Sequence, residues 1–375
     1  MANPILTSLK SLFAFKRILG NDNNLNALVK ADSLLYGLVN EKRVPGISIT
    51  VLKGGNPLVQ KGYGYADLEE KRRINPKKTI FRTASISKPI AATALAYAVA
   101  KCDINLDAPF RDYVPYFPKK EWDFTIRQLA SHTAGIRSYR GKEFASNKPY
   151  SIKESIDMFK DDALLFEPGK GYEYNSFDWV LISLAIQEAT GVPFQDYVTE
   201  QVLMPLGLQH TIAPQQFPGD EALVGNLTLN AQNKLEYATW YTKIRLGFRE
   251  AIPVNNFYKL AGGGYLSTSD DIAKFGHAFL DNTVLNTELR SEFLTSVMVN
   301  GKQTYYGLGW EVSEDKKGRR YFGHVGSSVG VYSSLFVYPE QQMVFSILIN
   351  CTDPKVQETL DEAINQLLTL SDSIV

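Results

Sequence analysis

The chain has 375 residues, of which 44% are hydrophobic and 21% charged, an ordinary globular balance. Lysine and arginine together equal aspartate and glutamate, 40 against 40, so no global field draws the chain to nucleic acid or an anionic membrane. Two cysteines exclude a disulfide scaffold, and four histidines without His-Glu-x-x-His or Cys-x-x-Cys spacing argue against a metal centre.

No apolar run reaches the length of about 18 residues that a membrane span needs, so no transmembrane segment is expected. Residues 1–20 mix Ile5, Leu9, Leu12, Phe13 and Phe15 with Lys10, Lys16 and Arg17. They read as an amphipathic helix on the protein body in preference to an organelle presequence or a membrane-surface helix. The interrupted apolar run is not a signal-peptide core, which favours a soluble, cytoplasmic protein over an exported or organellar one.

Leu25, Leu28, Val29, Leu35, Leu38 and Val39 follow helical spacing. Gly46 to Leu52 alternates, Gly54-Gly55-Asn56 is a hairpin turn, and Leu58 to Tyr65 pairs back. The stretch from Ser85 to Ala100 is apolar and alanine-rich and predicts a helix with Pro89 in its first turn, where proline is tolerated. Ser151-x-x-Glu154 is a capping box. Trp179, Ile182 and Ile186 form a helical stripe that Gly191 ends, and Pro193 to Pro205 bounds a further helix. Residues 137–150 and 209–260 read as long surface loops. Ser269 is expected to cap the helix carrying Ile272, Phe275 and Phe279. Strands are expected at Tyr306–Trp310, Tyr321–His324, Val331–Tyr338 and Met343–Asn350, followed by a last helix through Val356, Leu360, Ile364 and Leu367. Asn226-Leu-Thr and Asn350-Cys-Thr fit a glycosylation pattern, which bears only on a secreted chain.

Strands at both ends with helices between them predict an α/β (α+β) fold. The expected core is an antiparallel sheet of about five strands flanked by terminal helices, with an inserted helical lobe. The chain is taken as one domain, residues 1–375, with a sheet lobe from 1–83 and 296–375 and a helical lobe from 84–295.

Ser85-Ile-Ser-Lys88 is the pattern that carries chemistry. Serine is a poor nucleophile at neutral pH and needs a base within hydrogen-bond reach. Residues three apart share a helix face, so a helix start sets the lysine amine beside the serine hydroxyl. Burial lowers the pKa of a lysine, and an uncharged amine can take the serine proton. Alone, the pattern also fits a polar helix cap with a solvated lysine. Two further stretches gain weight beside it. Tyr174-Asn175-Ser176 offers a phenol that could relay protons if a cation lowers its pKa, and two polar residues that could orient the lysine or hold a substrate carbonyl. His324-Val-Gly326-Ser327, at a strand end, offers backbone N–H groups for an oxyanion and a histidine for a substrate carboxylate or carbonyl. A rival, Gly326-Ser-Ser328-Val-Gly330, matches the nucleophile elbow of α/β-hydrolases, but no histidine follows His324 to serve it.

The order Ser-x-x-Lys, Tyr-x-x, His-x-Gly resembles the serine β-lactamase and penicillin-binding superfamily, in its class C-like branch of β-lactamases, D-stereospecific peptidases and esterases. Further segments extend the likeness: Pro45-Gly-Ile-Ser-Ile, Gly62-Tyr-Gly-Tyr-Ala66, Leu129-Ala-Ser-His132-Thr-Ala-Gly135, Ala261-Gly-Gly-Gly264-Tyr and Gly307-Leu-Gly-Trp310. Tyr258-Lys-Leu-Ala-Gly-Gly-Gly and Phe166-Glu-Pro-Gly are similar to the mitochondrial serine β-lactamase-like group of animals and its bacterial relatives. The resemblance implies Ser85 as the acylated nucleophile, Lys88 as its base and Tyr174 as proton relay. It implies an oxyanion hole from the N–H groups of Ser85 and Ser327, and substrate contacts at Asn175, Ser176, His324 and Gly326. His132 is expected to buttress the fold. The family pattern has asparagine where this chain has Ser176, which is shorter and lacks an amide, so esters or peptides are favoured over β-lactams. The expected activity is two-step acyl transfer on a small-molecule or peptide substrate, with no metal or organic cofactor and no nucleic-acid partner. The alternative is a slowly deacylating penicillin-binding or polymer-forming protein, and a homo-oligomer is left open.

Overall fold

The computed structural model describes residues 22–214, 235–280 and 284–370. The helix read in residues 1–20 and the pattern at Asn226 lie outside the described residues. In chain order the elements that matter are α1 (Asp22–Asn40), β1 (Gly46–Lys53), β2 (Asn56–Asp67), β3 (Arg72–Arg73), α2 (Ser87–Ala100), α3 (Phe177–Thr190), α4 (Ser269–Ala278), β4 (Glu311–Glu314), β5 (Arg320–Ser328), β6 (Val331–Tyr338), β7 (Met343–Ile349) and α5 (Gln357–Leu368). None of the helices among the described residues is long and apolar enough to cross a membrane.

The chain divides into two compact units, residues 1–38 with 356–375, and residues 39–355. In the first, α5 buries Leu360, Ala363, Ile364 and Leu367, one stripe at helical spacing. The second unit holds the sheet and the candidate site. Its sheet has seven strands in the order β4-β5-β6-β7-β1-β2-β3. The two ends of the sequence meet where β1 pairs antiparallel with β7, Ile47 opposite Ile349 and Val51 opposite Phe345. These two strands are buried along almost their whole length, β7 with a near-continuous apolar sequence and β1 with Ser48 and Thr50 satisfied by hydrogen bonds. Helix α4 packs on β1, β6 and β7. Ser269 is not its cap: Thr268 accepts the amide of Asp271, while Ser269 Oγ lies 2.8 Å from Ser48 Oγ and 3.0 Å from Thr50 Oγ1.

Several expectations shift. The sheet has seven strands because short β3 and β4 extend its edges. Residues 306–310 form no strand; Tyr306 makes one isolated bridge to Glu311, and pairing begins at Glu311. The stretch read as one loop from 209 to 260 carries a hairpin, Tyr241–Ile244 with Gly247–Glu250. Its strands are only four residues long, too short for alternation to register. Asn350 is fully buried, its amide donating to Thr239 O at 3.0 Å, so it is no glycosylation acceptor in the folded chain.

Trp310 is the hub of one aromatic cluster. Its ring centroid lies 4.6 Å from Phe279, 5.5 Å from Phe322 and 5.8 Å from Phe275. Trp310→Ala is expected to cost about 3–5 kcal/mol through the cavity it leaves. Urea titration checks this by a lower midpoint at an unchanged slope.

Candidate active site

Ser85 sits in a single 3-10 turn, Ala84–Ile86, that runs straight into α2. Pro89 occupies the first turn of α2, where its missing N–H has no partner to lose. Ala84 enters this turn at φ +46°, a left-handed conformation that a β-carbon disfavours. Neighbours hold it there. Thr83 donates to Tyr265 O (2.7 Å), Ser333 Oγ donates to Thr83 O (2.7 Å), and Tyr265 N donates to Ser87 Oγ (3.0 Å).

Lys88 follows one helical turn after Ser85 and is fully buried. Its Nζ lies 3.2 Å from Ser85 Oγ and donates to Gly262 O at 2.7 Å. Burial lowers this amine to about 7; Asp178 and Glu311 oppose the shift through charge without reversing it. Near neutral pH a large share of Lys88 is therefore uncharged. The Gly262 carbonyl comes from the wide, π-type turn Leu260–Gly264. Glycine eases the packing there, because a β-carbon on Gly262 would press on Ser176 O at 3.0 Å and Ser176 Cβ at 3.1 Å.

Tyr174 lies in the loop before α3, and its hydroxyl donates to Ser85 Oγ at 2.7 Å. Lys88 Nζ stands 4.6 Å from the centre of its ring. No cation lowers this phenol. Burial instead raises its pKa, so Tyr174 stays protonated and acts as a donor. Beneath it, His132 packs ring to ring at 4.7 Å, and Glu173 N donates to His132 O at 3.0 Å. His132 Nδ1 lies 2.8 Å from Asp178 Oδ2 in a fully buried pair. Desolvation holds the imidazole neutral. His132 thus supports the Tyr174 loop from below and does not touch Ser85 Oγ.

Strand β5 passes beside the Ser85 turn. A β-carbon on Gly326 would come within 3.0 Å of Ser85 N, so only glycine allows this approach. Pairing with β4 stops at Gly323, and the next outward-facing amide, Val325 N, donates to Glu311 Oε1 at 3.2 Å. Backbone groups alternate sides along a strand, so Ser327 N–H points the same way, off the open edge. Ser327 borders both cavities that meet at Ser85, of about 210 Å³ and 520 Å³.

Two of the predicted contacts are placed otherwise. Asn175 is 2% exposed, and its side chain is turned inward. Its amide donates to Asp178 Oδ2 (2.7 Å), Glu173 O (2.9 Å) and Ile136 O (3.1 Å), and Oδ1 accepts Asp178 N (2.7 Å). Both N–H bonds of that amide are spent inside the protein, and only the Oδ1 oxygen keeps a free lone pair. His324 lines the larger cavity, but Nδ1 lies 2.7 Å from Val325 O and Nε2 lies 3.0 Å from the Tyr306 hydroxyl. Burial lowers its pKa to about 3, so it is neutral, donating through Nδ1 and accepting through Nε2. Ser176 and Asn175 both line the smaller cavity. Sequence reading missed Glu311, Tyr306 and the Gly262 carbonyl. Gly307-Leu-Gly-Trp310 was a signal pointing to the first two, which flank it.

The beta-lactamase family model matches residues 26–369. The chain belongs to the beta-lactamase family. Among curated members it is 28% identical to the mitochondrial serine beta-lactamase-like protein LACTB of Homo sapiens, over 84% of this chain and 72% of that one. It is 25% identical to penicillin-binding protein 4* of Bacillus subtilis, over 84% and 70%. Among solved beta-lactamase-fold structures, the D-amino acid amidase of Ochrobactrum anthropi superposes with TM-score 0.77 at 21% identity, covering 92% of this chain and 99% of that one. An octameric penicillin-binding protein homologue of Pyrococcus abyssi gives 0.77 at 23%, covering 91% and 77%. Family membership and fold agree with the resemblance read from the motifs, and proteins named as hydrolases share the fold.

Proposed function

We propose that this protein is a serine hydrolase that works by two-step acyl transfer on ester or amide substrates. The observation that carries this reading is the pair of contacts on Ser85 Oγ, 3.2 Å to an amine lowered to about 7 and 2.7 Å to a protonated phenol. Uncharged Lys88 takes the Ser85 proton as Oγ bonds to the substrate carbonyl carbon. The carbonyl oxygen becomes an oxyanion held by the N–H groups of Ser85 and Ser327, each worth roughly 3 kcal/mol of barrier. As the carbonyl re-forms, the bond to the leaving group breaks. Tyr174 gives its hydroxyl proton to the departing oxygen or nitrogen and is reprotonated from Lys88. Water then attacks the acyl-enzyme, losing its proton through the same pair, and Ser85 leaves with a proton. His132 and Asp178 position Tyr174. The shape of Ser176 favours esters and peptides over β-lactams.

The test is intact-mass measurement after incubation with an uncharged fluorophosphonate, with the adduct mapped by peptide sequencing. One adduct on Ser85 is expected. No adduct, or one elsewhere, sinks the proposal. A second reading, slow deacylation as in a penicillin-binding receptor, is favoured by the similarity to penicillin-binding protein 4*. Parallel assays with p-nitrophenyl esters, a D-amino-acid amide and nitrocefin separate the two, since a hydrolase turns over and a receptor gives a single burst. Similarity to an octameric protein leads us to propose self-association as well, which light scattering would test.

A further inference from the structure

The two cavities at Ser85 differ in charge. The smaller is lined by Lys259 and by no acid. The larger is lined by Glu311 and by no lysine or arginine, and Tyr172, Tyr174, Tyr305, Tyr306 and Tyr321 border it. Glu311 projects from the first residue of β4 and keeps 29% of its side chain exposed. One oxygen is engaged, by Val325 N at 3.2 Å and beside His324 Nδ1 at 3.3 Å. That imidazole is neutral, and among the described residues no lysine or arginine lies within ion-pair distance of Glu311, which feels Lys88 only through the longer-range field. Burial raises the Glu311 carboxyl to about 7, so near neutral pH it is shared between a protonated form and a charged form that a bound cation would favour. Tyrosine rings carry negative faces that attract cations, ammonium groups above all. A carboxylate among such rings is a cation site in its chemistry, and the cavity of about 520 Å³ has room for a substituted ammonium.

We propose that the larger cavity binds an ammonium-bearing arm of the substrate, with Glu311 as its counter-ion. This rests on the serine hydrolase reading for its purpose, but the binding can be measured without turnover. Glu311 selects the substrate; it does not take part in bond making.

The probe is phenyltrimethylammonium, titrated by calorimetry into the intact chain, with phenylacetate as the anionic counterpart. Saturable binding of the cation alone is expected, weakened at least about tenfold in Glu311→Gln, the scale of losing one close charge–charge attraction at a partly buried site. Ser313→Lys, a half-buried wall position of the same cavity, should weaken it likewise if Glu311→Gln fails to fold. No binding of the cation, equal binding of phenylacetate, or binding untouched by both variants overturns the proposal. In turnover, butyrylcholine should exceed its uncharged isostere 3,3-dimethylbutyl butyrate in kcat/KM, or phenylalanine p-nitroanilide its N-acetyl form. The pair that responds tells which side of the scissile bond the cavity serves. A ratio near one in both pairs overturns the proposal, while continued Ser85 labelling by the uncharged fluorophosphonate would leave the hydrolase reading standing.

Discussion

Lys88→Ala lowers the rate of Ser85 acylation by roughly 10³-fold, at the middle of the range for loss of a general base. Ser85→Ala falls to the same floor, and the double variant falls no further, because the two groups act as one unit. A fluorophosphonate time course, or ester turnover, measures all three. The reason is geometric. Among the described residues, Lys88 Nζ is the one amine within hydrogen-bond distance of Ser85 Oγ, and its lone pair is available once the proton is lost. Its pKa of about 7 fixes the pH dependence, since the base works only uncharged. Acylation should climb tenfold per pH unit below about 7 and level off above it, because protonation removes the acceptor. Lys88→Met separates chemistry from folding. It removes an amine buried without a paired carboxylate, so activity falls while the thermal midpoint holds or rises. A loss under tenfold in Lys88→Ala would show that another group takes the proton.

Gly326→Ala should cost a further 10²–10³-fold in kcat/KM, the scale of losing an oxyanion donor, roughly 3 kcal/mol. The added β-carbon would meet Ser333 Oγ at 2.3 Å, Thr83 O at 2.6 Å and Ser85 N at 3.0 Å. Thr83 and Ser85 belong to the turn that carries the proposed nucleophile, and Ser333 clamps it through Thr83 O. Strand β5 must therefore move away from the turn, and the distance between the Ser85 and Ser327 amides changes with it. Overpacking of this kind also costs about 1–3 kcal/mol of stability. The informative readout is the split between the two. Fluorophosphonate labelling and ester turnover should fall far more than the fraction folded. Near-normal turnover in Gly326→Ala would mean that β5 contributes no donor.

Much of the site was legible because part of it is local. Ser85 and Lys88 are three residues apart, and helix geometry alone brings them together once a helix starts there. The alanine-rich run and Pro89 announced that start. The hairpin at Gly54-Gly55 and the cap at Gly191, with φ +71°, were legible for the same reason, since their signals lie within a few residues. The thin edge strands β3 and β4 were not, because two or four residues show no periodicity.

Tyr174 marks the boundary. It lies 89 positions from Ser85, and only the motif order pointed to it; spacing could not. Its protonation went the other way from the sequence expectation, because burial of the phenol outweighs any cation nearby. The Gly262 carbonyl carries no side-chain signature at all.

What the sequence determined on its own was that Ser85 and Lys88 stand side by side, together with the family to which the motif order belongs, because a helical turn is a local object. Which way a polar side chain faces was decided by tertiary packing alone. Asn175 is held inward by Ile136 O, 39 positions away, His324 is tied down by Tyr306, and Glu311 is left facing an open cavity. Each of these outcomes depends on whether a long-range neighbour satisfies the group first, and a neighbour distant in the chain is visible only once the chain has folded.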